Sequence, residues 1–414
     1  MKAIVFHGIG DISLDEVEEP SIIDPHDAIV SITVSAICGT DLHMVRGTMG
    51  GMQPGTILGH EGVGVVEKAG KEVRNFREGD RVVIPSTIAC GYCSYCRSGY
   101  YSQCDNANPN GAHAGTCFFG GPKASGPING LQAEKDRVPF ANVGLVRISE
   151  NMSDHDAIVL SDILPTGYFG AVLARIKPGN TVAVFGSGPV GLFAIKSALL
   201  MGASQVFAID SIQDRLDIAR EFGAEIINFE IDDPVDAIMK LTGGIGVDRA
   251  IDAVGIDAVH PHSGPAYQAE KNMLNQFSEE LRQAAPETNP QGENWQPGDA
   301  PSQALLWAVN ALAKAGTLSI IGVYPQSFKN FPIGVAMNKN IKINMGNCNH
   351  RKYIPMLMDM ILNGEIQPHQ VITNTESLAD AVQAYKAFDQ RRKGWVKVEL
   401  IASKPEISHK PFDL

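Results

Sequence analysis

The stretch "CGYCSYCRSGYYSQC", residues 90–104, holds four of the seven cysteines in the chain, spaced Cys90-x2-Cys93-x2-Cys96-x7-Cys104. Four thiolates converging from one short loop are the ligand set of a closed, tetrahedral structural zinc. Gly91 and Gly99 supply the backbone freedom such a turn requires. Two disulfides or four unrelated thiols are the plainer readings. A reducing compartment disfavours the first, and the regular spacing disfavours the second.

A closed zinc site holds a lobe together and performs no reaction, so chemistry has to be sought elsewhere. Cys38 in "CGTDLH" and His60 in "GHEGVG" are both zinc-ligand types. Singly, Cys38 reads as a small buried hydrophobe and His60 as a satisfied loop histidine. Together they suggest two ligands of a catalytic site, which needs three protein ligands and an open position. Asp162 in "LSDILPTGYFGAVL" is a candidate third ligand. With Cys38 as thiolate and His60 neutral, it would bring the ligand charge to balance a divalent ion. Spacing alone leaves it equally well read as a carboxylate at a helix N-terminus.

"FGSGPVG" places Gly186, Gly188, Pro189, Val190 and Gly191 between an apolar strand and a helix. This G-x-G-x-x-G context fits a dinucleotide: a tight turn at Gly186, backbone approach to pyrophosphate at Gly188, close packing at Gly191. The helix amides would then receive the phosphates. Asp210 lies 19 residues beyond Gly191 at the end of the next strand, where it would accept from ribose hydroxyls. A carboxylate there repels a 2'-phosphate, so NAD is expected over NADP. A glycine turn needed only for packing is the alternative.

The elements that must position these residues fall into two textures. Up to about residue 160, short runs such as "AIVSITVSAI" and "DRVVIPS" alternate with Gly, Pro, Asp and Asn, a β-rich pattern. From about residue 165, "TVAVFG", "QVFAID", "EIIN", "VDRAIDAVG" and "TLSIIGVYP" read as buried strands. They alternate with helical segments, including "ALLWAVNALAKAG", as in a doubly wound parallel sheet. Residues 258–302, polar and rich in Pro, Gly, Asn and Gln, interrupt that alternation. After residue 350 come two amphipathic helices and a closing strand, "WVKVELI".

A chain of 414 residues exceeds what one core usually supports, so two domains are expected. With 34 basic and 46 acidic residues the formal charge is -12, which argues against nucleic acid or an anionic membrane as partner. The N-terminus lacks the features of a secretory signal, and no window offers an uninterrupted apolar membrane span. A cytoplasmic setting is therefore expected.

From "CGTDLH" and "GHE" through the four-cysteine lobe and "GSGPVG" to "FDQRRKG", the sequence resembles the zinc-containing medium-chain alcohol dehydrogenases. Alcohol dehydrogenase is itself the type example of a catalytic zinc held by two Cys and one His. Here Asp162 stands where many relatives have the second Cys, and "SDILPTGY" is similar to the glutathione-independent formaldehyde dehydrogenases. The resemblance implies an α/β fold: a GroES-like β-rich catalytic domain (1–163 and 350–414) and a Rossmann coenzyme domain (164–349) with the 258–302 insertion. It implies two zinc ions per chain, a catalytic one on Cys38, His60 and Asp162 and a structural one on Cys90, Cys93, Cys96 and Cys104, together with NAD. Thr40 matches the hydroxyl that bonds the alcohol, and His43 the imidazole that passes its proton outward by way of the cofactor ribose. Glu61 matches a carboxylate close behind the metal, Arg215 a contact to the adenosine ribose, and Arg392 a contact to the pyrophosphate, with Arg391 leaving that register open by one. Ser86 falls where relatives often place a bulkier pocket residue.

The implied reaction moves a hydride between an alcohol, or a hydrated aldehyde, and NAD. An aldehyde dismutase or formaldehyde dehydrogenase with tightly held NAD is the alternative among enzymes, and a non-catalytic nucleotide-binding regulator is the alternative of another class. Family habit implies a homo-oligomer, dimer or tetramer. The insertion leaves a strand at its carboxyl end, where ligands sit in such folds. It is expected either to cover the cofactor or reshape the substrate mouth, or to be an oligomer contact or solvated excursion. Cys117 and Cys348 read as ordinary thiols.

Overall fold

The computed structural model describes residues 1–111 and 114–402. Residues 403–414, the end of the expected catalytic domain, lie outside the described residues.

Six parallel strands form one sheet in the order Glu225–Asn228, Gln205–Asp210, Thr181–Phe185, Val247–Asp252, Leu312–Ile320, Lys342–Met345. The strand order reverses on either side of Thr181–Phe185, creating the crevice in which open α/β sheets bind ligands. Val182 to Phe185 are all buried, as expected of a strand covered on both faces. Gly186 follows immediately with φ 88°, a left-handed turn that glycine adopts without a Cβ penalty. The chain then enters the helix Pro189–Leu200, with proline in its first turn, where a missing N–H costs nothing.

A second sheet of seven strands combines the two ends of the chain. Ala28–Ile37 is its central strand, pairing antiparallel with Gly62–Ala69, Val398–Ile401 and Lys135–Val138. A three-stranded sheet, Asp11–Glu16, Lys2–Gly8 and Thr56–Ile57, lies beside it. This is the GroES-like and Rossmann combination anticipated above. One apolar core runs through both parts: Val34, Val63 and Val83 join Val182, Val184 and Ile251 around the helix Ile163–Leu173. The helical run Asp154–Leu173 is long and apolar enough to cross a membrane, but 72% of it is buried inside the fold.

Two details differ from the sequence expectation. The helix expected over "ALLWAVNALAKAG" ends at Ala311, and Leu312 already takes extended backbone to open the strand Leu312–Ile320. Pairing of Thr317 to Ile320 with Val247–Asp252 on one side and Lys342–Met345 on the other outweighs the helix propensity of the alanines. The strand Lys342–Met345 itself had no sequence signal of its own.

Much of the 258–302 segment is exposed. It carries the helices Gly264–Glu270 and Leu274–Ala284. Its end then crosses to the catalytic part. Trp295 is buried with Ile4, Phe6, Ile12 and Leu42. Asn289 Nδ2 donates to Ile9 O at 2.9 Å and Gln291 Nε2 to Gly10 O at 2.9 Å. The segment is a strap between the two parts of the chain.

Candidate active site

Three expected ligands meet although their positions are far apart in sequence. Cys38 follows the strand Ala28–Ile37 and precedes the helix Gly39–Arg46. His60 leads into the strand Gly62–Ala69, and Asp162 sits at the N-terminus of the helix Ile163–Leu173. Asp162 Oδ2 lies 3.2 Å from His60 Nε2 and 3.7 Å from Cys38 Sγ. Ligands about 2.0–2.3 Å from a tetrahedral zinc are separated by about 3.3–3.8 Å. The observed edges fit that polyhedron.

The two oxygens of Asp162 have separate duties. Oδ1 accepts from Thr166 Oγ1 at 2.8 Å and from His350 Nε2 at 2.7 Å. Oδ2 is left to face His60 and Cys38. Asp162 is also the N-cap residue of its helix, as the alternative reading had it, but its side chain makes no capping bond. Burial works against its ionisation, yet His350 and His60 hold its pKa well below the ordinary carboxylate value. Burial pushes the Cys38 thiol up, a penalty that a cation would remove.

Behind this shell, Asp41 Oδ1 receives His60 Nδ1 at 3.1 Å, and Asp41 Oδ2 receives Cys38 N at 2.9 Å. A carboxylate can only accept, so Nδ1 carries the proton and Nε2 faces inward, the usual support of a metal-binding imidazole. Glu61 is fully buried, 2.5 Å from Lys397 Nζ through Oε1, while its Oε2 lacks a partner among the described residues. Cys38, His60, Glu61 and Asp162 each offer a ligand atom within 4.8 Å of the others.

The ligand cluster opens into a cavity of about 870 Å³ that runs to the glycine turn. Thr40, His43, Gly186, Gly188, Pro189 and Val190 line it, as do Asp210 and Arg215 farther along. A Cβ on Gly191 would lie 1.8 Å from Gly186 O, so only glycine lets the helix start there. A Cβ on Gly188 would meet nothing closer than Arg215 Nη1 at 3.8 Å, which leaves room for a phosphate against the backbone. Asp210 is held by Ser187 N on Oδ2 and by Ser211 N and Ile212 N on Oδ1, with Arg215 Nη1 3.8 Å away. Of the two adjacent arginines, Arg391 lines the cavity, with φ 52°. Arg392 is exposed, its Nε on Gln390 Oε1 at 2.8 Å.

His43 is buried, with Nδ1 3.0 Å from both Thr48 Oγ1 and Asp257 Oδ2. Asp257 also pairs with Arg46 at 2.6 Å, and Arg46 with Asp389 at 2.7 Å. Asp389 in turn accepts Trp295 N at 2.6 Å, so the strap, the helix Gly39–Arg46 and the loop after Val247–Asp252 share one buried ion network.

In the cysteine lobe Cys93 Sγ and Cys104 Sγ are 4.0 Å apart, and all seven cysteines are free. Backbone amides point at the sulfurs, with Cys90 N on Cys104 Sγ at 3.2 Å and Cys93 N on Cys90 Sγ at 3.4 Å. Amides so aimed stabilise thiolates and position ligands for a metal. Cys117 lies apart, its thiol pushed up to about 12 by burial.

Comparison with known proteins agrees with this geometry. A family model described as an alcohol dehydrogenase GroES-like domain matches residues 24–148, and one described as a zinc-binding dehydrogenase matches residues 189–263. An uncharacterised zinc-type alcohol dehydrogenase-like protein of Bacillus subtilis is 35% identical over 97% of this chain and 100% of its own length. The chain belongs to the zinc-containing alcohol dehydrogenase family. A glutathione-independent formaldehyde dehydrogenase of Pseudomonas aeruginosa is 35% identical over 94% of each chain. The solved alcohol dehydrogenase of a Thermus species superposes with a TM-score of 0.78 at 32% identity, covering 97% of this chain and 99% of that one.

As a zinc-type alcohol dehydrogenase the chain is an oxidoreductase of small-molecule alcohols that uses zinc and NAD(P). The residues present fit both groups: two clusters whose ligand atoms lie within 4.8 Å of one another, and a glycine turn open to a phosphate. Sequence reasoning missed His350, Asp41, Lys397 and Asp257 in this alcohol dehydrogenase site. Asp41 was within reach, since it stands three residues after Cys38 where a first-turn carboxylate can receive the preceding amide. His350 and Lys397 had no local signal, because they arrive only through packing of the C-terminal segment.

Proposed function

We propose that the protein is an NAD-dependent alcohol dehydrogenase with two zinc ions per chain, one on Cys38, His60 and Asp162 and one on Cys90, Cys93, Cys96 and Cys104. The continuity of one cavity from the first cluster to the glycine turn carries this assignment, because hydride transfer requires the nicotinamide to face the carbon whose oxygen the metal holds. When bound, zinc supplies Lewis acidity to the substrate oxygen and the nicotinamide accepts the hydride.

The chain's own residues orient the substrate and move its proton. Thr40 and His43 are three positions apart on one helix and so share a face. Thr40 Oγ1 would take the alcohol proton, and His43 Nε2 would receive it on its way outward. His43 Nδ1 is occupied by Thr48 and Asp257, so Nε2 is the atom free to act. Asp210 and Arg215 hold the adenosine ribose, Arg391 the pyrophosphate. The Asp210 carboxylate favours NAD, since a 2'-phosphate would have to displace or approach it.

A hydrated aldehyde as substrate has a specific observation in its favour. Beside Asp162 the cavity wall carries Ser86, Thr87, Thr166 and His350, a polar group able to hold a second hydroxyl. The strap across the two parts supports slow release of NAD. Exposed Met345 on the edge strand Lys342–Met345, and exposed Ile333 and Met337 on the helix Ile333–Asn338 before it, support a homo-oligomer. Seven free thiols support a cytoplasmic setting.

The test is an alcohol and aldehyde panel with NAD and NADP, run beside zinc quantification and NAD analysis of the purified protein. Turnover with NAD at two zinc ions per chain is expected. One zinc per chain, or no turnover in a fully loaded sample, would sink the proposal.

A further inference from the structure

At the root of the strap, away from both cysteine-containing clusters, stands a group of side chains that the alcohol dehydrogenase reaction does not use. His260 and His262 flank Pro261 where the strap leaves the parallel sheet, and Asp299 lies near its return. The two imidazole rings are 4.5 Å apart between centroids, tilted by 39°. Each is held at Nδ1 by a carboxylate. His260 Nδ1 lies 2.7 Å from Asp299 Oδ2, and His262 Nδ1 lies 3.2 Å from Glu230 Oε1.

These carboxylates are themselves fixed. Asp299 Oδ1 accepts His260 N at 3.0 Å. Glu230 accepts His262 N at 3.0 Å and Ser263 Oγ at 2.8 Å through Oε2. Glu230 on Nδ1 of His262 sets that ring's tautomer, so that its Nε2 carries a lone pair, while His260 Nδ1 and Asp299 Oδ2, 2.7 Å apart, are two ligand atoms that a cation would bridge in place of the proton. Carboxylate–imidazole pairs of this kind are the common support of metal-binding histidines. His260, His262 and Asp299 each offer a ligand atom within 4.8 Å of the others.

We propose that His260, His262 and Asp299 form a further divalent transition-metal site, with Glu230 as the carboxylate that orients His262. Two imidazoles and one carboxylate select zinc, nickel or cobalt over calcium and magnesium, which prefer all-oxygen ligands. Three protein ligands leave one position for water. The location gives the ion a mechanical role: it joins both ends of the strap to the loop after Glu225–Asn228. Phe229 and Val259, the chain neighbours of Glu230 and His260, line the nucleotide end of the cavity. A cation there therefore ties down the rim past which the dinucleotide leaves.

The plain alternative is a set of surface ion pairs, each worth little. Equilibrium dialysis against Co²⁺ of enzyme first brought to two zinc ions per chain separates the two. The expected result is one additional equivalent per chain, with d–d absorption and none of the thiolate charge transfer that the cysteine clusters would give. His262→Asn and Asp299→Asn should each weaken that equivalent at least tenfold while leaving turnover at saturating NAD unchanged. His262 has a side chain 64% exposed, so its replacement leaves packing intact. A wild-type enzyme that takes up no additional Co²⁺, or a His262→Asn variant that binds it with undiminished affinity, would overturn the proposal.

Discussion

His350 Nε2 donates to Asp162 Oδ1 at 2.7 Å, across 188 positions of sequence. The bond turns Asp162 so that its other oxygen faces His60 and Cys38, and it joins a C-terminal helix to the metal cluster. His350 Nδ1 is in turn 3.1 Å from Thr87 Oγ1, which fixes the ring. His350→Gln should lower affinity for the zinc at Cys38, His60 and Asp162 by about 10–100-fold, the usual cost of losing an orienting partner. Chelator competition with metal analysis checks it: the cysteine-lobe zinc should be unaffected. Equal loss from both clusters would mean that His350 acts through global stability.

The cysteine lobe should behave as a separable metal-dependent unit. Cys104→Ser removes a ligand whose sulfur also accepts Cys90 N. Zinc content should drop by about one equivalent per chain and thermal stability should fall, because the metal's binding energy is folding energy of the loop. Nucleotide binding should persist, since none of the lobe cysteines lines the cavity. Metal analysis, a thermal melt and a nucleotide titration together test this. Full zinc retention would refute the assignment.

Coenzyme preference should follow one carboxylate. Asp210 is buried at the strand end, its oxygens fixed by three backbone amides, with Arg215 alongside. Asp210→Ser removes the repulsion and leaves Arg215 free to meet a 2'-phosphate. The ratio of kcat/KM for NADP to that for NAD should rise about 10–100-fold, equivalent to about 1.4–2.7 kcal/mol. An unchanged ratio would show that another group sets the preference.

What was legible in the sequence was whatever is encoded locally. The glycine turn and the four-cysteine loop each lie within fifteen residues, so spacing alone constrains their geometry. Cys38 and His60 were legible as types, and Asp162 became so only through resemblance. The choice between Arg391 and Arg392 depended on a left-handed residue after the helix Ala381–Asp389, a backbone feature no pattern announces. Composition left the strap open between a cover for the cofactor or substrate mouth and an oligomer contact or solvated excursion. Its anchoring rests on one buried tryptophan and side-chain bonds to backbone carbonyls, which leave composition unchanged. His350, Lys397 and Asp257 share that reason: each is a single polar residue whose meaning comes from a partner on a distant element.

The strap should also carry a pH signature. Glu270 ends the helix Gly264–Glu270, with Oε1 accepting from Trp307 Nε1 and from Gln303 Nε2 at 2.8 Å, while Oε2 has no partner among the described residues. Burial pushes its pKa up to about 7 against the Trp307 and Gln303 bonds. A carboxyl whose folded pKa is raised favours the protonated fold. Its contribution is complete below about pH 4.5 and is lost as pH climbs through about 7. The full shift would be worth about 3 kcal/mol, and about 1–2 kcal/mol after allowing for water that still reaches the group. Glu270→Gln keeps an acceptor for Trp307 and cannot ionise. Melting curves between pH 6 and 9 should show the wild type losing stability with rising pH and the variant losing less, so that the variant melts about 1–3 °C higher at pH 8.5. Identical slopes for the two proteins would mean that Glu270 stays ionised in the fold, with its second oxygen reaching water.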